Sequence, residues 1–191
     1  MKIAECQILF TATLSMTSIS SPENTHNNKI AALVLEMARA YESDGITFFV
    51  SGDPVNALAG LYYGLGWLHF GLASGLLTIT TSPVCPFLDP LEVLQPSHRE
   101  KLEEKTYRYA HLLDTALSSV KCAPDPATAS HGFAKRIHTV AIVYARCGEY
   151  RIKSGSLEDA LASFSYGHGW LDAGVTAGLF RIVADRDLFT V

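Results

Sequence analysis

Charge is scarce in this chain, and what there is does not lean to the basic side. Only 18% of its 191 residues are Asp, Glu, Lys or Arg, and 15 Lys plus Arg stand against 19 Asp plus Glu, a formal net charge of −4. With no overall positive field to hold a polyanion, no nucleic-acid partner is expected. Cysteine is sparse as well. Cys6, Cys85, Cys122 and Cys147 lie far apart, with no C-x-x-C pair and no Cys/His set at zinc-finger spacing. That excludes a disulfide scaffold and a zinc finger, and it reads as reduced thiols in a cytoplasm. Alternating strand patterns are missing, and so are the nucleophile elbow G-x-S-x-G and the metal motif H-E-x-x-H. No catalytic residue and no metal site is therefore read from the sequence, and its cofactor stays unknown. What the chain has in quantity is apolar side chains, 48% of the total, enough to bury a core without staples.

Two stretches imitate membrane signals. Lys2, the run Ile8 to Met16 and Ser18-Ile19-Ser20 loosely resemble a secretory leader, which Glu5, Gln7, Thr11 and Thr13 weaken; translation from Met16 is the alternative start. Val55 to Ile79 is long enough for a bilayer and carries only Asn56 and His69 as strongly polar side chains.

Both signals are answered by an internal repeat. Shifting the sequence by 103 residues lays Ser51-Gly52 on Ser154-Gly155, Tyr63-Gly64 on Tyr166-Gly167, and Gly66-Trp67-Leu68 on Gly169-Trp170-Leu171. Upstream it lays Ala38, Tyr41 and Gly45 on Ala141, Tyr144 and Gly148. The chain is a tandem duplication. The second copy of the apolar stretch contains Glu158, Asp159, His168, Asp172 and Arg181, too many ionisable groups for a spanning helix, so its twin reads as a buried core helix.

Each copy reads as three helices. In the second, Arg99 to Lys121 carries an apolar stripe, Cys122 to His131 is a linker, a second helix runs from about Gly132 to Lys153, and a third from Leu157 to about Arg181. In the first, Ser51-Gly52-Asp53-Pro54 is the turn before the third helix, with Asp53 as N-cap and Pro54 in the first helical position. Prolines 83, 86, 90 and 96 keep any helix from crossing between the copies. The units are residues 1–80 and 81–191. The expected fold is all-α, two tandem three-helix units packed through their third helices as one pseudo-symmetric helical bundle.

Along those helices Gly60, Gly64, Gly71 and Gly75 recur at helical spacing, with Gly167, Gly174 and Gly178 in the second copy. An interior Gly costs about 1 kcal/mol relative to Ala, so the stripe reads as a helix-packing surface. Tyr63 and Trp67, like Tyr166 and Trp170, are four apart and share a face, as core residues or as the wall of an aromatic pocket. His168 and Asp172 at i, i+4 could orient an imidazole, and His69, aligned with Asp172, is expected to meet it as an ion pair across the copies. Tyr63, Trp67, His69, Tyr166, His168, Trp170 and Asp172 are the candidate ligand-binding residues.

The stretch from Lys153 to Phe180, with Ala-Leu-Ala-Ser-Phe-Ser-Tyr-Gly-His-Gly-Trp-Leu-Asp-Ala-Gly at its centre, resembles the signature helix of the archaeal family known as domain of unknown function number 357. The resemblance covers about 99–182; the first copy departs from the signature at Leu65, His69 and Phe70. It implies a small helical bundle of an archaeal cytoplasm and no known activity. The leading expectation is a non-enzymatic interaction or scaffold module with an unknown protein partner or self-association. The rival is a small-molecule or nucleotide-binding protein, an enzyme among the options, with its pocket around Tyr166, His168, Trp170 and Asp172.

Overall fold

The computed structural model describes residues 1–80 and 90–190. Pro83, Cys85 and Pro86 of the expected linker lie outside the described residues. The first unit is α1 (Ile3–Ser15), β1 (Thr17–Ile19), α2 (His26–Val50), α3 (Pro54–Ala73) and β2 (Leu77–Ile79). The second is α4 (Arg99–Ser118), β3 (Val120–Cys122), α5 (Ala129–Lys153), α6 (Leu157–Thr176) and β4 (Phe180–Ile182). Apart from the earlier start of α4, every element lies 103 residues after its counterpart, including the strands that the sequence did not reveal. The fold is an all-α bundle in which each unit is closed by a three-residue antiparallel clasp. Thr17 pairs with Ile79 in one and Val120 with Ile182 in the other.

Local chemistry sets the boundaries. Thr25 and Thr128 cap α2 and α5, their side chains accepting the N–H of Asn28 and His131. Asp53 accepts the Asn56 N–H ahead of α3, with Pro54 in the first turn. The third helices stop well before Ile79 and Arg181, where the apolar pattern would have carried them. Gly75 and Gly178 adopt φ of +74° and +73°, which reverses the chain into β2 and β4.

The third helices are the centre of the molecule. α3 packs against α2 and α6, and α6 against α3, α4 and α5. Every residue from Leu157 to Val175 is buried. α3 is buried along most of its length too, from Val55 to Gly71, which explains the membrane-like stretch of the first copy. No described helix is long and apolar enough to cross a membrane. The leader-like residues form α1, whose Ile3, Cys6, Phe10 and Leu14 enter the core. A chain started at Met16 would lack them.

Charged groups fix the flanks of the third helices, within the second unit and between the units. Glu158 and Asp159 accept the backbone N–H of Leu94 and Leu91, fixing the segment before α4 over the first turn of α6. Lys105 of α4 is buried against the Tyr109 ring and donates to Asn56 at the start of α3, while its neighbour Lys101 pairs with Asp53 at 2.6 Å.

Candidate functional site

The candidate residues gather where α3 crosses α6. The crossing point is a pair of equivalent glycines, Gly66 and Gly169. A Cβ on Gly66 would lie 2.5 Å from the Tyr166 carbonyl oxygen and 3.0 Å from the Gly169 Cα. One on Gly169 would strike the Tyr63 carbonyl oxygen. Backbone meets backbone here, and no side chain fits between.

The glycine stripe faces elsewhere. Gly60 and Gly64 turn toward α2, where a Cβ on Gly64 would come within 2.9 Å of the Tyr41 Cβ. Gly167 turns toward Tyr144 of α5 at 3.0 Å. Gly71 and Gly174 leave room for Leu77 and Phe180 of the clasps. These five pack each third helix within its own unit. Gly75 and Gly178 lie beyond the helices, with no atom within 4 Å of an added Cβ, and serve as turn residues instead.

On either side of the crossing, residues of one copy meet those of the other. The Tyr63 phenol donates to the Asp172 carboxylate. At the symmetry-related place the Tyr166 phenol meets His69 Nδ1 at 2.7 Å. The expected His69–Asp172 ion pair is thus replaced by two crossed tyrosine contacts. The reason is geometric: equivalent positions meet only across the pseudo-twofold axis, which runs between Gly66 and Gly169, the equivalent pair in contact. Three residues before the axis, Tyr63 meets the position three residues beyond it on the partner helix, which is Asp172.

Aromatic rings close over both contacts. Tyr41 lies 4.4 Å from Tyr63, centroid to centroid, and Tyr144 lies 4.5 Å from Tyr166. Tyr166 and Trp170 contact edge to face at 6.2 Å. The Trp170 indole N–H is buried without an acceptor among the described residues; that of Trp67 is buried beside the Tyr63 phenol but out of hydrogen-bonding geometry. Burial, then the Asp172 charge, pushes the Tyr63 phenol well above its usual range. It is a permanent donor.

His168 points the same way but has a different partner. Its ring stands edge-on to Tyr63 at 5.7 Å, and Nε2 lies 3.2 Å from the carbonyl oxygen of Leu188. Burial lowers its pKa, only partly offset by the nearby Asp172 charge and the Leu188 carbonyl. The neutral imidazole with hydrogen on Nε2 satisfies this contact. Thr190 completes the cluster: its N–H and hydroxyl both donate to Asp172, the hydroxyl at 2.8 Å. In the repeat register Leu188 and Thr190 fall on Cys85 and Phe87, outside the described residues, and nothing in the sequence pointed to them. Gly66 and Gly169 did stand out as residues shared by both copies, without a sign of what they touch.

Chemically, the cluster is a buried hydrogen-bonding network whose groups are turned toward one another. Among the described residues no three His, Cys, Asp or Glu side chains are placed to hold a metal ion. A surface hollow of about 300 Å³ lies elsewhere, between Val93, Leu94, Pro96, Arg99, Leu102 and Glu158.

The sequence model of the family described as Protein of unknown function (DUF357) matches this chain twice, over residues 7–77 and 108–180. The chain belongs to that family. Each DUF357 match begins within the first helix of a unit and ends at the first residue of its closing strand or just at it, so the duplication seen in the fold is a duplication of the family unit. Tyr63, Gly66, His69, Tyr166, His168, Gly169 and Asp172 fall inside the two matches, whereas Leu188 and Thr190 fall outside them. Comparison with curated proteins and with solved structures finds no match.

Proposed function

We propose that this DUF357 protein is a non-enzymatic helical interaction module in which two family units, residues 1–80 and 81–191, act as a covalently joined pseudo-dimer. The observation that carries this reading is the crossed pairing of Tyr63 with Asp172 and Tyr166 with His69. The polar groups of the candidate site are spent on holding one copy to the other, with Gly66 and Gly169 allowing the approach. Duplication then replaces a homodimer interface by an intramolecular one. The free thiols of Cys6, Cys122 and Cys147 support a reducing, cytoplasmic setting, and the negative net charge supports a protein rather than a nucleic-acid partner.

The test is denaturant unfolding of the full chain followed separately through each half. This reading expects one coincident transition, because the halves share a core; two separate transitions would sink it. A thermal-shift screen against nucleotides, cofactors, metals and metabolites is the companion measurement. A ligand at about 100 times its Kd adds about 2.7 kcal/mol, and a hit abolished by Trp170→Ala would move the assignment to the pocket reading.

A further inference from the structure

Residues 183–187 are exposed without interruption, Leu188 is half-buried, and Phe189 is buried at 6% exposure. The segment after β4 therefore crosses the surface as a tether and seats only its last described residues on the body. Its start is held by Ser119, whose carbonyl accepts the Val183 N–H at 2.8 Å and whose hydroxyl donates to Asp185 at 2.7 Å. Asp185 itself sits at φ +48°, a left-handed conformation that a non-glycine residue adopts at a cost.

The seat is specific. The Leu188 carbonyl accepts from His168, the Phe189 ring stands edge-on to the same imidazole at 6.4 Å, and the Thr190 N–H and hydroxyl donate to Asp172. Main-chain acceptor, aromatic ring, main-chain donor and hydroxyl are read in succession along three residues. Leu188 closes a 3-10 turn, Arg186–Leu188, and Phe189 leaves it in extended backbone, so the seat reads this short stretch through backbone groups and side chains together.

We propose that the seat formed by His168 and Asp172, both held by Tyr63, is a docking site for a short peptide of the pattern aliphatic–aromatic–Thr that leaves a 3-10 turn in extended backbone, and that residues 188–190 occupy it in cis as a built-in competitor. The site is single. Its symmetry-related place carries Leu65 where His168 stands and His69 where Asp172 stands, so neither the carbonyl donor nor the carboxylate is repeated. The proposal rests on the module reading and names the chemistry of its partner. Both segments compete for the same groups, and the tethered one has the advantage of a high effective concentration.

The experiment uses the full-length chain carrying Phe189→Ala and Thr190→Ala, with a fluorescein-labelled, C-terminally amidated peptide of residues 184–190 as the probe. Saturable one-to-one binding is expected by anisotropy, at least about tenfold tighter than to the wild-type chain, whose own segment blocks the seat. The same peptide with Phe189 replaced by Ala should not bind. Absence of saturable binding to a variant that keeps the wild-type circular dichroism and cooperative melt would overturn the proposal. If the variant does not fold, the wild-type chain decides. Excess peptide should speed hydrogen exchange at the Thr190 amide, which donates to Asp172, without changing that of α6, and unchanged exchange would refute the site. Either failure would leave the coincident unfolding of the two units, on which the module reading stands, untouched.

Discussion

The phenol of Tyr63 donates to the carboxylate of Asp172, 109 residues further along the chain, inside the contact between the two family units. Its twin contact, Tyr166 with His69, has the same tyrosine position and a different partner. Removing the Tyr63 hydroxyl leaves Asp172 with Thr190 as its remaining donor. Tyr63→Phe should therefore lower unfolding stability by about 1–3 kcal/mol. A double-mutant cycle with Asp172→Asn, read by urea titration, should return a coupling well above the additive error. An additive cycle would show that the contact contributes nothing of its own.

Glycine substitutions should separate by what the new methyl meets. Gly66→Ala and Gly169→Ala push Cβ into the backbone of the opposite helix, which cannot step aside, so each should lose about 2 kcal/mol or more despite the gain of up to 1 kcal/mol in helix propensity. Gly132 in α5 has no atom within 4 Å of an added Cβ, so Gly132→Ala should be neutral or stabilising by up to about 1 kcal/mol. Urea titration of the three variants checks the order, and equal effects would remove the close-approach argument.

Acid should loosen the fold through His168. Burial holds its pKa below the ordinary 6.5, so in the window below 6.5 the unfolded chain binds a proton that the folded chain does not. The stabilisation is complete above 6.5 and is lost as pH falls from there toward the lower folded value. Melting temperature should drop from pH 7.5 to 5.5, and His168→Gln should flatten that slope. The same slope in the variant would assign the acid sensitivity to other groups.

The thiols should react in order of access. Cys147 is exposed and Cys122 half-buried, while Cys6 lies in the core with its pKa pushed up to about 12 by desolvation. Iodoacetamide at pH 8, followed by peptide mass mapping, should label Cys147 before Cys122, and Cys6 only after denaturant is added. Early labelling of Cys6 in the native protein would mean that α1 detaches readily.

Much of the architecture was legible because the chain writes it twice. Ser51-Gly52 over Ser154-Gly155 gave the turns, and the charged residues of α6 showed that the apolar stretch of α3 was a core helix. The ends of the third helices were misplaced because Gly75-Leu76 and Gly178-Leu179 continue an apolar pattern, while a positive φ is invisible in composition. The clasps escaped notice because three residues are too few for an alternation to register. Where the third helices cross, the side chains singled out from the sequence come together, but Tyr63 meets Asp172 and Tyr166 meets His69 in place of the expected His69–Asp172 pair. Alignment tells which residues are equivalent, and only the position of the axis tells which ones meet. Thr190 was beyond reach because it lies outside the family match and differs in type from Phe87, the residue 103 places before it.

The clasps also bear on how the chain reaches this structure. Each joins the strand behind the first helix of its unit to the strand behind the third, so β1 cannot meet β2 until α2 and α3 have folded back on each other. The α2–α3 and α5–α6 hairpins involve near neighbours and close at little entropic cost, whereas the strand pairs seal long loops. Each unit should thus condense as a helical hairpin first, and the clasp, with the first helix it draws in, should be the last part to form and the first to open.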